Sequence, residues 1–187
     1  LPGITVGLDM TAAPKNILIT GLPGVGKTTL IKKLSRELTR FHPAGFYTEE
    51  IREGGIRKGF RIASIPEGTT AVLAHVGMKS PSKVGKYSVD VPSFEQYLDQ
   101  LNLAHADTRL AIIDEIGKME CLSAVFRELI GSLLGSSTPV VATVALKGTG
   151  FIEGLKRRED VMLVEISEAN RDSVVQDILR SVLPILS

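Results

Sequence analysis

Residues Gly21-Leu22-Pro23-Gly24-Val25-Gly26-Lys27-Thr28 combine glycines, a lysine and a hydroxyl in an order suited to holding a polyphosphate. The glycines let backbone N–H groups approach phosphate oxygens. Lys27 has the reach for β- and γ-phosphates, and the Thr28 hydroxyl can ligate Mg²⁺, with Thr29 continuing the segment. A second chemistry-bearing stretch is Leu110-Ala111-Ile112-Ile113-Asp114-Glu115, an apolar run that ends in two acids. An Asp at such a strand end is suited to holding the water shell of a phosphate-bound Mg²⁺, which makes Thr28 and Asp114 the expected metal residues. Glu115 is expected to point to the opposite side of the strand and to deprotonate water attacking a γ-phosphate. Glu115 and Lys27 are thus the expected catalytic residues.

Charge developing on a transferred phosphoryl group calls for a cation, worth ~10³–10⁵ in rate when it is a well-placed arginine. Lys118, just past the two acids, and Arg158 are the candidates. Thr143, near the end of the next apolar run, is a candidate phosphate sensor or holder of the attacking water. Asn170 and Arg171 are candidates for stacking on or bonding a nucleobase. His42, His75 and His105 share no metal-ligand spacing, so no metal beyond Mg²⁺ is expected.

These residues need elements to position them. Asn16-Ile17-Leu18-Ile19-Thr20 reads as the strand that aims the glycine loop. Leu30, Ile31, Leu34, Leu38 and Phe41 recur at helical spacing behind it, so the loop lies on a helix N-terminus with its partial positive charge. Between 44 and 91 the chain reads as an antiparallel β-hairpin elaboration outside the crossovers of the sheet. It comprises Ala44 to Ile51, a Glu53-Gly54-Gly55 turn, Arg57 to Ile65, Thr70 to Val76 and a basic loop from Lys79 to Lys86. Tyr47, Glu49, Glu50, Arg52, Arg57 and Lys58 on it are candidates for a lid or partner surface.

From Pro92 onward helix and strand patterns alternate. The helix containing Phe94, Tyr97, Leu98, Leu101 and Leu103 precedes the Leu110 strand. A second, with Leu122, Val125, Phe126, Leu129, Ile130 and Leu133, precedes the run Val140 to Val144. A short helix from Phe151 to Arg158 leads to a strand from Val161 to Ile166, and a last helix buries Val174, Val175, Ile178, Leu179, Val182 and Leu183. Such alternation implies an α/β fold, a mostly parallel sheet between helices.

The 187 residues read as residues 1–15, a poorly ordered N-terminal extension, and 16–187, a single domain. A net charge of +1 argues against nucleic acid or an anionic membrane as the main partner. No apolar run approaches the ~20 residues of a membrane span. The lone cysteine, Cys121, fits a packed thiol in a reducing compartment, and the expected location is cytoplasmic. Asp114-x-x-Gly117 fits a GTPase element, but no N-K-x-D follows. The absence of L-S-G-G likewise argues against a transporter-type ATPase.

The glycine loop is joined by Gly45-Phe46-Tyr47-Thr48-Glu49-Glu50, Val84-Gly85-Lys86-Tyr87-Ser88-Val89-Asp90, Ser93-Phe94-Glu95 and, most specifically, Asp114-Glu115-Ile116-Gly117-Lys118-Met119-Glu120. By these motifs the chain, from Ile17 to Leu183, resembles the THEP-type nucleoside-triphosphatase family. Glu168-Ala169-Asn170-Arg171-Asp172 is similar to the family's Glu-Asn-Arg box with one residue inserted or shifted. The resemblance implies a RecA-like phosphate-loop fold. It also implies slow, Mg²⁺-dependent hydrolysis of ATP, GTP and other nucleoside triphosphates with low base selectivity. It carries nucleotide binding onto Gly21 to Thr28 and onto Leu110, Ala111, Ile112, Ile113, Asp114, Glu115, Ile116 and Gly117, with Glu115 where the family has its base. Two alternatives stand beside it: a nucleotide or nucleoside kinase, and a nucleotide-dependent RNA- or protein-binding switch whose basic loop carries Lys79, Lys83 and Lys86.

Overall fold

The computed structural model describes residues 14–187 apart from 102, 104 and 106. Most of the expected N-terminal extension, residues 1–13, lies outside the described residues. Lys15, assigned to that extension, is tied down: its Nζ donates to the Leu134 carbonyl at 2.8 Å.

Among the described residues nine strands form one sheet. In chain order they are β1 (Asn16–Thr20), β2 (Ala44–Glu53), β3 (Ile56–Ile65), β4 (Thr70–His75), β5 (Lys83–Val84), β6 (Tyr87–Val89), β7 (Ala111–Ile116), β8 (Val140–Val144) and β9 (Val161–Glu165). Their spatial order is β5-β6-β4-β3-β2-β7-β8-β1-β9. The helices are α1 (Lys27–Glu37), α2 (Val91–Gln100), α3 (Ala124–Gly135), α4 (Gly150–Lys156) and α5 (Val174–Leu186).

Strands β2, β7, β8, β1 and β9 pair in parallel, while β3, β4, β6 and β5 extend the same sheet antiparallel. This corrects the expectation that 44–91 lies wholly outside the crossovers. β2 joins the parallel core beside β7, so α1 is an ordinary βαβ crossover and only β3 to β6 are an elaboration. Gly45 permits that docking, since a Cβ there would lie 1.7 Å from the Ile112 carbonyl oxygen. The basic loop also contains structure, because Lys83 and Val84 pair with β6.

Side chains alternate across β7, as a strand covered on both faces requires. Ala111 and Ile113 enter one core with Phe94 and Leu98 of α2 and Phe126 and Ile130 of α3. Leu110 and Ile112 enter the other, with Ile31 and Leu34 of α1 and Val175 and Ile178 of α5. In the first core the Phe94 ring packs edge-to-face with Phe46 at 6.0 Å and tilted against Phe126 at 5.4 Å. α3 starts later than its apolar pattern suggested. A 3₁₀ turn, Glu120–Leu122, precedes it, and the Ser123 Oγ accepts from the Phe126 N–H as an N-cap. Leu122 and Val125 therefore face outward, 40% and 44% exposed.

Candidate active site

The loop after β1 wraps onto the first turn of α1. Gly24 and Gly26 take φ of 79° and 109°, conformations that only glycine adopts without strain, so the phosphate-loop pattern has a backbone cause. Among the described residues no side chain caps α1, and none of its first-turn residues is acidic. Its leading N–H groups are therefore left for an anion. Lys27 folds back over the loop, its Nζ donating to the Gly21 carbonyl at 3.1 Å and the Leu22 carbonyl at 3.4 Å. Within the loop the roles divide. Pro23, Gly24, Gly26, Lys27, Thr28 and Thr29 line an open cleft. Val25 packs into the core and Leu22 is 66% exposed. Gly21 lies tight against Ile166.

β7 brings its acids to the same cleft. One strand, β8, separates it from β1, so the carboxyl end of β7 faces the loop across that strand. The Thr28 hydroxyl donates to Asp114 Oδ2 at 2.6 Å, and the Thr143 hydroxyl donates to Asp114 Oδ1 at 2.5 Å. Thr48 in the middle of β2 donates its hydroxyl to the Asp114 carbonyl at 2.6 Å. Asp114 is only 1% exposed. Burial raises its pKa, and the hydrogen bonds from Thr143, Thr28 and the Thr48 N–H draw it back down.

Glu115 does not project to the far side of the strand as expected. The β7–β8 register shifts between Ile113 and Ile116, and both acids line the cleft. Glu115 Oε2 stands 3.8 Å from Lys27 Nζ. Burial raises the Glu115 pKa, Lys27 opposes that, and Asp114 adds to it. A carboxylate so raised is a stronger base than an exposed one.

The remaining cleft wall comprises Thr48, Glu49, Glu50, Phe60, Val84, Lys118, Met119, Glu120 and Ala145, around a cavity of 670 Å³. On the other side of the loop a 560 Å³ cavity is lined by Gly24, Thr29, Lys33, Ile166, Arg171, Asp172 and Val175, among others.

Several expected residues take other roles. Leu110, Ala111, Ile112, Ile113 and Ile116 are core side chains that position the acids and offer a nucleotide no surface. Thr143 is fully buried and spends its hydroxyl on Asp114, so it supports the acid instead of sensing phosphate. Arg158 is at the wrong end of the sheet. It pairs with Asp160 at 2.7 Å, and Asp160 accepts from Asn16 at the start of β1, whereas the loop leaves from its end. Asn170 is consumed by its own turn, accepting from the Ser167 N–H at 2.8 Å and donating to the Glu165 carbonyl at 2.9 Å. Lys118 and Arg171 do reach cavities beside the loop. The lid candidates Glu49 and Glu50 are engaged by cations, Glu49 by Lys32 and Arg61 and Glu50 by Arg52 and Arg57. Thr48 and Glu120 were not singled out from the sequence. A polar residue directly after the buried Phe46-Tyr47 signals the first, and an acid among Met119, Cys121 and Leu122 signals the second.

One carboxylate and one hydroxyl, both hard oxygen donors held 2.6 Å apart, fit a divalent cation completed by phosphate and water. Among the described residues no group of three or more His, Cys, Asp or Glu side chains forms a self-sufficient metal centre.

A glycine loop on a helix N-terminus, with an acid-tipped parallel strand one strand away, defines a phosphate-loop α/β protein. Comparison with known proteins specifies the family. The NTPase family matches residues 16–179, and the chain belongs to it. Nucleoside-triphosphatase THEP1 from Thermotoga sp. (strain RQ2) is 48% identical over 164 residues, spanning 87% of this chain and 92% of its own. The cancer-related nucleoside-triphosphatase of Homo sapiens is 37% identical over 184 residues, spanning 90% and 96%. The crystal structure of THEP1 from Aquifex aeolicus superposes with a TM-score of 0.78 at 34% identity, covering 88% of this chain and 97% of that one. The chain is a nucleoside-triphosphate phosphohydrolase. No helix among the described residues is long and apolar enough to cross a membrane.

Proposed function

We propose that the protein hydrolyses ATP, GTP and other nucleoside triphosphates to the diphosphate and phosphate, with Mg²⁺ and little selection among bases. The observation carrying this reading is the convergence of Asp114 on Thr28 at 2.6 Å and of Glu115 on Lys27 at 3.8 Å in one cleft. In it, the α1 N-terminus and loop amides hold the phosphates. Lys27 swings from its carbonyl partners to the β- and γ-phosphates. Thr28 and Asp114 would hold Mg²⁺, which when bound would neutralise phosphate charge. Glu115 accepts the proton of water attacking in line with the departing diphosphate. The 560 Å³ cavity beyond the loop suits the base. There Arg171 is near the apolar Ile166 and Val175, and stacking by a guanidinium plane is available to any base.

Glu115→Gln tests the reading. It should retain nucleotide binding and lose about 10²–10⁴-fold in kcat, the usual worth of a positioned base. An unchanged kcat would remove Glu115 from the mechanism. A second reading has one observation in its favour: the cleft continues past Glu115 to Phe60 and Val84, space that a hydroxyl acceptor would need in a kinase. Under that reading, adding an acceptor raises diphosphate release above phosphate release; hydrolysis keeps the two equal.

A further inference from the structure

Glu120 opens the 3₁₀ turn after β7 and is 5% exposed, yet it lines the nucleotide cleft. Each other acid there has a side-chain partner: Glu49 and Glu50 have cations, Asp114 two hydroxyls and Glu115 Lys27. Glu120 differs, because its hydrogen bonds are to the backbone of its own turn. The place where its carboxyl points is marked by Gly117. A Cβ on Gly117 would lie 2.8 Å from Glu120 Oε2 and 2.9 Å from Glu115 Oε1, so the two carboxyls converge on one point that glycine leaves open.

This convergence matters once nucleotide arrives. Lys27 is Glu115's cationic partner, and it is also the residue a phosphate would claim. We propose that Glu120 is a positioning residue for Glu115: its carboxyl O–H, reaching across Gly117, takes over from Lys27 and keeps the base aimed at the attacking water. The proposal rests on the reading of Glu115 as base.

Charge in the surroundings is compatible with a proton on Glu120. Asp114 and Glu115 face it from β7, Glu49 and Glu50 line the same cleft from β2, and Cys121 adjoins it. Lys27 from α1 and Lys118 from its own loop line the cleft, and Arg127 of α3 is spent on the Cys121 carbonyl. Burial, with Glu115 and Asp114 nearby, pushes the Glu120 pKa up to about 8.

The test measures kcat and KM for ATP from pH 6 to 9.5 in the wild type, Glu120→Gln and Glu120→Leu. Glutamine keeps a donor and should stay within about threefold of wild-type kcat at pH 7; leucine has none and should lose about tenfold or more in kcat with KM little changed. Wild-type kcat should fall to about a tenth at pH 9 as Glu120 loses its proton, and Glu120→Gln should abolish that fall. An undiminished Glu120→Leu, or an alkaline fall that persists in Glu120→Gln, overturns the proposal. Glu115→Gln assayed alongside separates the two failures. If it is fully active, the reading of the base has failed; if it is inactive while the Glu120 variants behave as wild type, only the Glu120 proposal has.

Discussion

Thr28 and Asp114 lie 86 positions apart in sequence and are joined by a 2.6 Å hydrogen bond between the first turn of α1 and the end of β7. Thr143 on β8, the strand between, donates to the other oxygen of the same carboxylate. Three parallel-sheet units thus fix one acid at the mouth of the phosphate loop.

That arrangement predicts the effect of removing the charge. Asp114→Asn keeps the shape but replaces one of the two accepting oxygens with an NH2 donor and forfeits the anionic oxygen expected to support a divalent cation. Turnover should fall by about 100-fold or more, with binding of metal-free nucleotide nearly unchanged. Titrating Mg²⁺ against steady-state hydrolysis checks it; a variant with wild-type Mg²⁺ dependence would remove Asp114 from the cation site.

Thr143 predicts a stability effect. In Thr143→Val the shape persists while Asp114 Oδ1 loses its donor in a fully buried position. The expected loss is about 1–3 kcal/mol, read by urea unfolding, with Thr143→Ser recovering most of it. If valine were neutral, the hydroxyl would have no supporting role.

The legible parts of the chain were those where pattern and physics are local. The glycine loop, β1 and the buried run Val140 to Val144 are written as short-range signals of strained turns and two-faced burial. What the sequence did not reveal was lateral. Nothing in Ala44 to Ile51 says that its neighbour is β7, because strand order is set by which faces remain to be buried after α1 packs. The orientation of Glu115 depended on a register shift that strict alternation does not anticipate. Arg158 and Asn170 were plausible by type, but Asp160 and the Ser167 turn claim them.

Glu120 also makes stability pH-dependent. Its folded pKa of about 8 exceeds the ordinary value of 4.5, so between these pH values the folded state keeps a proton that the unfolded chain releases. The benefit of the buried neutral acid is complete below about pH 4.5 and is lost as pH rises through 8, a change on the order of a few kcal/mol. Glu120→Gln carries no such dependence. Its Tm relative to wild type should therefore rise between pH 5 and pH 8.5 in thermal melts, and a constant difference would mean that Glu120 ionises freely in the folded protein.

The two basic candidates for easing charge on the γ-phosphate now separate by position. Lys118 lines the cleft beside Glu115, and among the described residues no ion pair holds it elsewhere. Arg158 is bidentate on Asp160, with distances of 2.8 and 2.7 Å, at the amino-terminal edge of the strands. A cation acts on a transition state only if it reaches the charge that develops there. Lys118→Ala should therefore lower kcat by about tenfold or more with a smaller change in nucleotide affinity, while Arg158→Ala should stay within about twofold of wild type. The half-exposed Arg158–Asp160 pair should cost less than about 1 kcal/mol of stability when broken. Single-turnover hydrolysis of the two variants decides it: a loss confined to Arg158→Ala would mean that the γ-phosphate is served from a surface distant from this cleft.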